Sequence, residues 1–422
     1  MSCGSTRCGC GSTTPTRACG SPRGCPATPP STTGRPRRVW PTSTGFRSVG
    51  STTQPSAACG PPDEGEVRPM THVASADGFT AMFAAKQDQD WSGGDQATSV
   101  SAGGHVYWLF GDSMLSAGET AAGAYPAGTV MVSNRILRQH GGDQLVNAVA
   151  GGGVGVPDPA THTPQNQERY WPQAGFTLGG KLYVLAQRVL AKPVGDGFTW
   201  AGVEMFRYGI GADGQLTLEA VVATPSTGVT GRRGVPASVQ WAGEAVVDGG
   251  FVYVFGHVEA DGNPYVVHYT YLARVPTGQV EVPSAWRFWA ASTGQWVTQV
   301  SQWNTDPANQ RDAIVSSQVS SAKVLGGRWV LLHKPWNGFG STVYAETATA
   351  PTGPYTRTAL FESPAGTWRG REYVTYCPQL HPEQQLASGK TLGSVAWNGK
   401  ALADTMADAD LYKPRFVEVV LP

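Results

Sequence analysis

The chain has 422 residues, with 31 basic and 31 acidic side chains and a formal net charge of zero. That balance argues against nucleic acid or an anionic membrane as partner. No apolar run reaches the roughly 18–20 residues of a membrane span. Gly (54), Pro (31) and Trp (14) are abundant while charged residues make up 15%, which suits an all-β protein with many turns and an aromatic-lined binding surface.

The first stretch reads differently from the rest. Cys3, Cys8, Cys10, Cys19, Cys25 and Cys59 crowd it, leaving only Cys377 beyond. Cys8-Gly-Cys10 lacks the partners and spacing of a zinc site, and no His precedes His72. Residues 1–69 are rich in Ser, Thr, Gly, Pro and Arg without hydrophobic period, a composition that cannot bury enough apolar surface to fold. They are expected to be a disordered low-complexity segment or a mis-annotated gene start, with Met70 the initiator. The apolar core of a secretory signal is not visible there. The folded part is expected to be residues 70–422.

The first informative element is Trp91-Ser-Gly-Gly-Asp95 … Gly103-Gly104-His-Val-Tyr-Trp-Leu-Phe-Gly111-Asp112. Two β-forming runs flank a Gly-Gly dipeptide, which reads as a two-residue hairpin turn. With that turn, Asp95 faces Asp112 across the open end of the hairpin, with Cβ atoms roughly 4.5–5.5 Å apart. Like charges directly opposite destabilise a sheet, so the pair calls for an explanation. Two carboxyls roughly 5–5.5 Å apart are what a retaining glycosidase needs. The plainer alternative has one Asp capping a turn and the other solvated at a strand end.

Further along, the unit recurs: Gly179-Gly180-KLYVLAQR, Gly249-Gly250-FVYVFGHV, Gly326-Gly327-RWVLLHKP and Ser388-Gly389-KTLGSVAW. Repetition at this long period, without helical periodicity, predicts a five-bladed β-propeller. The strands before each turn would line the channel, and outer strands are expected around 129–137, 202–208, 265–275 and 341–347. Positions matching Asp95 are Trp171, Trp241, Gln318 and Leu380, the last beside His381. Arg188 should face Trp171 by the same register. Sugars stack on aromatic rings and are oriented by a few polar groups, so this ring suits a carbohydrate. A single Trp is as readily core packing.

The pieces WSGGD (91–95), WLFGDS (108–113), MVSN (131–134), YWP (170–172), FVYVFG (251–256), YLARV (271–275), APTGPY (350–355) and LHPE (380–383) together resemble a group of five-bladed propellers long catalogued as a domain of unknown function, some now known as endo-D-arabinanases. The resemblance implies a glycoside hydrolase acting on furanosides, with Asp95 and Asp112 catalytic. Its implied substrate is the D-arabinan of mycobacterial-type walls (arabinogalactan, lipoarabinomannan), and hence action outside the cell or at its wall, in an actinobacterial or phage setting.

Asp112 follows the apolar run Tyr107–Phe110 and is expected to be the acid/base; Asp95, after flexible Ser-Gly-Gly, would be the nucleophile, with the reverse open. A bulge parting the carboxyls beyond about 6.5 Å would favour inversion. Glu244 is a candidate for orienting sugar hydroxyls or a satisfied channel group, and Glu168 reads as a loop charge. Trp91, Asn134, Tyr376, His381 and Asn398 complete the candidate substrate contacts. No cofactor and no metal is expected, and the partner is a polysaccharide. The rival reading is a non-catalytic carbohydrate-binding propeller, such as a phage receptor-binding or adhesion module. A chain begun at Met70 should unfold cooperatively at the same temperature as the full chain, as calorimetry would show; a clearly lower midpoint would contradict the reading of residues 1–69.

Overall fold

The computed structural model describes residues 75–149, 153–160, 162, 167–191, 198–226, 239–258, 269–299, 311–335 and 338–422, all within the compact unit Gly60–Pro422. The expectation for residues 1–69 lies outside them. Five sheets of four or five strands follow one another along the chain. The first holds Thr98–Ala102, His105–Phe110, Arg135–His140 and Gln144–Asn147, and the second Glu168–Leu178, Lys181–Ala191, Phe198–Ile210 and Leu216–Ala223. The third holds Gln240–Asp248, Phe251–Val258, Tyr269–Pro276, Arg287–Ala290 and Gln295–Val297. Val319–Leu325, Arg328–His333, Thr342–Ala348 and Thr356–Glu362 form the fourth, and Gly366–Trp368, Arg371–Gln385, Thr391–Gly399 and Arg415–Val419 the fifth.

The strands Thr98–Ala102, Glu168–Leu178, Gln240–Asp248, Val319–Leu325 and Arg371–Gln385 touch in succession, and the last returns to the first. The arrangement is all-β and propeller-like. Four of the hairpins turn on the expected Gly-Gly pairs, each with both glycines at positive φ (57° and 80° at Gly103 and Gly104). That is the type I′ geometry that matches strand twist and that side-chain-bearing residues adopt poorly. The fifth differs: its ladder stops at Gln385↔Thr391, so Ser388-Gly389 sits in a wider loop.

Local details depart from expectation. The run 129–137 is not one outer strand but divides into Val130–Val132 and Arg135–His140. The former joins Gly93–Gly94 and Ser113–Leu115 in a small sixth sheet. Residues 265–268 of another expected strand lie outside the described residues, and the strand there runs Tyr269–Pro276. The chain also holds helices that period-two reading missed, chiefly α1, Ala76–Ala85. Ser75 caps it, accepting from the Gly78 N–H at 3.1 Å and so satisfying one free amide of the first turn.

Helix α1 seals the seam between the first and last sheets. Its Phe79 and Phe83 are fully buried among Trp91, Trp108, Phe110, Leu392 and Phe416. The Phe83 ring stacks on Phe416 at 5.2 Å and meets Trp108 edge-on at 5.0 Å. Because the ring of sheets begins and ends here, this cluster holds the closure. Phe83→Ala should cost about 3–5 kcal/mol, read as a lower denaturant midpoint in equilibrium unfolding.

Candidate active site

The hairpin register places the two carboxylates as expected. Thr98 pairs with Leu109 on one side, and Gly94 pairs with Ser113 on the other. Asp95 and Asp112 fall opposite each other between these pairs. Gln96 and Ala97 interrupt the ladder with φ of 80° and 59°, yet they cause no net register shift. Backbone bonds hold the gap: Asp95 N donates to Asp112 O at 3.4 Å, and Gly111 N donates to Asp95 O at 3.2 Å.

The glycines around the pair are there for close approach. A Cβ on Gly111 would meet Asp95 Oδ1 at 2.4 Å, and one on Gly94 would meet Trp91 Nε1 at 2.8 Å. On Gly93 it would strike Tyr125 Oη at 2.1 Å and Tyr412 O at 2.8 Å. WSGGD is therefore a packing signature as well as a chemical one.

Each carboxylate has one side-chain donor, from a different neighbouring sheet. Tyr376 Oη donates to Asp95 Oδ2 at 2.9 Å, and Trp171 Nε1 donates to Asp112 Oδ1 at 2.9 Å. Asn398 supports the tyrosine, its Nδ2 donating to Tyr376 Oη at 3.0 Å, and Thr405 in turn donates to Asn398 Oδ1 at 2.9 Å. Burial, and then the Asp112 charge, push the Asp95 carboxyl up to about 7 against the pull of the Tyr376 hydrogen bond. Burial pushes Asp112 up to about 6, offset by the Trp171 N–H and the Arg169 charge. The proton belongs to the pair and not to either carboxyl alone.

Several predicted residues sit elsewhere. Trp91 is fully buried between Phe83 and Phe110, with ring distances of 5.9 and 4.8 Å, so it backs the site without facing substrate. Asn134 is buried too; its amide bridges Val156 and Tyr170 backbone groups at 2.7–3.0 Å. Trp241 is core, packed on Phe288 at 5.4 Å. The register break between Gln240 and Glu244 defeats the simple alignment from the turn. Arg188 faces Tyr170, not Trp171, because a shift between Pro172 and Ala174 moves the register by one. It lies near Glu168 and Glu204 instead, at 3.9 and 3.6 Å. Gln318 is half-buried.

Glu244 and His381 belong to a buried network among the inner strands. Glu244 Oε2 accepts from Lys323 Nζ at 3.0 Å. Ser99 donates to Glu383 and lies 2.5 Å from His381 Nδ1, whose Nε2 is 2.8 Å from Ser394 Oγ. Burial opposes the Lys323 charge, but Glu244 and Glu383 outweigh it and raise its pKa. Burial and Lys323 together hold His381 well below its ordinary value, hence neutral. His381 is thus a structural group, not a substrate contact.

Residue-level reading missed several neighbours of the pair. Tyr412 is buried close to both carboxylates, with its hydroxyl held neutral by burial and their charges. Trp200 and Phe198 join Trp171 in an aromatic corner, with ring distances of 4.7–6.0 Å. Phe339 lies 5.5 Å from the Tyr376 ring. Trp200, two residues from Phe198 in a strand pairing with Gln187 and Arg188, was findable from the repeat; Tyr412, at the end of the 3₁₀ turn Ala409–Tyr412 before the last strand, carried no signal. Among the described residues no group of three or more His, Cys, Asp or Glu could hold a metal ion.

The family described as "Domain of unknown function (DUF5005)" matches residues 78–420, and the chain belongs to it. No curated protein matches the chain. A "putative hydrolase" from Bacteroides ovatus ATCC 8483 has a similar fold, at TM-score 0.61 and 17% identity over 81% of this chain and 88% of that one. A GH43_1 enzyme from Xanthomonas citri, complexed with xylotriose, gives TM-score 0.44 at 13% identity over 82% and 93%. An arabinoxylan arabinofuranohydrolase of glycoside hydrolase family 43 from Bacillus subtilis gives 0.41 at 12% over 84% and 68%.

The raised values have a sign. Burial pushes both carboxyls above the ordinary 3.8 in the folded chain, Asp95 to about 7 and Asp112 to about 6. The folded state then binds more protons than the unfolded one between about pH 4 and 7, and stability falls as pH rises through that window. Asp95→Asn should therefore raise the melting temperature at pH 8 by a few degrees, with the gain vanishing near pH 4. Equal effects at both pH values in scanning calorimetry would contradict the charge-pair account.

Proposed function

We propose that this chain is a glycoside hydrolase whose five sheets are the blades of a β-propeller, and that Asp95 and Asp112 are its catalytic carboxyls. The observation that carries the reading is the opposed pair itself, two carboxyls in direct register with both pKa values raised. Two facing carboxyls that are both pushed up can share one proton near neutral pH, so that one is held protonated while the other is ionised, as such an enzyme needs. A purely binding or structural protein gains nothing from it.

We assign the nucleophile to Asp112, which feels the field of Arg169 besides the Trp171 N–H, and the acid to Asp95, the reverse order to the one first expected and one which that expectation allowed. Directly opposed strand positions put the two Cβ atoms roughly 5 Å apart, a placement compatible with the short carboxyl separation of a retaining mechanism. Asp112 attacks the anomeric carbon while Asp95 passes its proton to the departing oxygen. Asp95 then takes a proton from water, which attacks the glycosyl ester and frees Asp112.

The substrate class is a furanoside polysaccharide. D-arabinan is the one to which the WSGGD and FGDS motifs point by resemblance. The hydrolase designation of the Bacteroides ovatus protein of similar fold agrees with the reaction class.

Asp95→Asn and Asp112→Asn should each lower cleavage of mycobacterial arabinogalactan by about 10²–10⁴-fold or more while leaving folding intact. Azide should restore turnover of Asp112→Asn as a glycosyl azide of inverted configuration, and of Asp95→Asn as one of retained configuration. Cleavage by both variants within a few-fold of wild type would defeat the reading.

A further inference from the structure

Asp95 and Asp112 each accept a side-chain hydrogen bond, but from donors of different kinds. Trp171 offers Asp112 an indole N–H, which can only donate. Tyr376 offers Asp95 a hydroxyl, which can donate or accept. Facing a protonated carboxyl, a free hydroxyl would turn round and accept the proton. What holds it the other way lies behind it.

Asn398 Nδ2 donates to Tyr376 Oη at 3.0 Å, and Thr405 Oγ1 donates to Asn398 Oδ1 at 2.9 Å. The tyrosine oxygen is thus already supplied with a proton, and its own O–H is left to point at Asp95 Oδ2, 2.9 Å away. The donations all run in one direction, and bonds in such a chain polarise one another. The fold keeps the chain in line at some cost. Cys377, next to Tyr376, holds φ of 47° where the ladder breaks between Tyr376 and Gln379, a conformation that side-chain-bearing residues adopt poorly. Thr405 comes from the short helix α2, Leu402–Ala407. Its approach needs Gly399, where a Cβ would lie 2.6 Å from Thr405 N and 2.7 Å from Oγ1.

A protonated carboxyl accepts best through its carbonyl oxygen and carries its proton on the other. With Oδ2 taken by the tyrosine, the Asp95 proton belongs on Oδ1. Position 111 leaves that oxygen room, since a Cβ on Gly111 would come within 2.4 Å of it. In Asp112 the indole takes Oδ1, which leaves Oδ2 as the attacking oxygen.

We propose, resting on the hydrolase reading, that Thr405, Asn398 and Tyr376 form a one-way hydrogen-bond relay that positions Asp95, holding its transferable proton on Oδ1 and supporting its carboxylate once that proton has left. Tyr376 and Asn398 are then positioning residues that act through Asp95. When Asp95 gives the Oδ1 proton to the departing oxygen, the Tyr376 bond stays and no proton moves along the relay. The groups around Asp95 leave its titration legible. Burial and the charges about them push Tyr376 and Tyr412 up, and burial pushes the Cys377 thiol up to about 12, with Lys334 acting on that thiol. Asp112, under the field of Arg169, shares the titration.

The test reads that titration directly, by carbon-13 NMR of the full chain labelled at its aspartate carboxyls, with Asp95→Asn marking the resonance. Beside it stands the pH profile of kcat/KM on whichever of mycobacterial arabinogalactan, linear arabinan and xylan is cleaved best. Tyr376→Phe removes a bond that favours the charged form, so Asp95 should titrate about one pH unit higher, and the alkaline limb should move up with it. Asn398→Asp offers Tyr376 an acceptor and turns its O–H away from Asp95, and should act in the same direction by at least as much. Asn398→Leu, neutral and of similar size, leaves the hydroxyl free to turn and should give a smaller rise. A merely structural role would lower the melting temperature without moving the titration. A titration unmoved in Tyr376→Phe or in Asn398→Asp overturns the relay, and so does a shifted titration with an unshifted alkaline limb. Shifted titrations joined with failure of the wild type to cleave any of the three polymers at any pH overturn the hydrolase reading and leave the hydrogen-bond relay standing.

Discussion

Two carboxyls held face to face in a half-buried site cannot both ionise cheaply, and the first hairpin leaves this pair no way apart. The Gly103–Gly104 turn sets the register, and the small sheet resumes it at Gly94↔Ser113 beyond the interruption. Asp95 and Asp112 are therefore opposed by backbone hydrogen bonding, not by side-chain choice. The surrounding groups limit the cost: a side-chain donor for each carboxylate, a neutral Tyr412 beside them, and glycines where a Cβ would collide. A half-buried like-charge pair retained at such cost is a functional signal in itself.

The same chain handles another set of buried charges in the opposite way. Along the inner strands, Glu244 and Glu383 share the Lys323 ammonium, and backbone amides of Ala245 and Ala322 add donors to Glu244. There charge is balanced at short range, as a buried ion pair requires if it is not to unfold the protein. Beside the site pair, no ammonium or guanidinium among the described residues forms an ion pair with Asp95 or Asp112, and the cationic influence on Asp112 is the field of Arg169. Compensated charge inside and uncompensated charge at the mouth separate a group that holds the fold from one available for chemistry.

How much of this was legible in the sequence follows from how local each signal is. Gly-Gly turns encode a hairpin within two residues, so four hairpins and the Asp95–Asp112 pairing could be read directly. Donors reaching from other sheets could not be assigned to a carboxylate, although Trp171, Tyr376 and Asn398 stood among the candidates. Helix α1 escaped because ten residues with buried positions at Ala76, Phe79, Met82 and Phe83 look like any short apolar run. D-arabinan as the proposed substrate corresponds to no residue that could be read by itself, and rests on resemblance alone.

The misplacement of Trp241 and Arg188 has a single physical origin. The inner strands of the second, third, fourth and fifth sheets break register at Pro172/Ala174, Gln240/Glu244, Val319/Ser321 and Tyr376/Gln379. Each break lies on the mouth side of its hairpin ladder. A bulge there re-aims every side chain beyond it, so counting back from the turn fails for those sheets. In the first sheet the interruption at Gln96 and Ala97 involves equal numbers of residues on both strands, and counting succeeds. That neutrality is what keeps Asp95 opposite Asp112, while the second and fifth sheets turn Trp171 and Tyr376 toward the pair. The irregularities shape the mouth, and the regular ladders beneath them hold it in place.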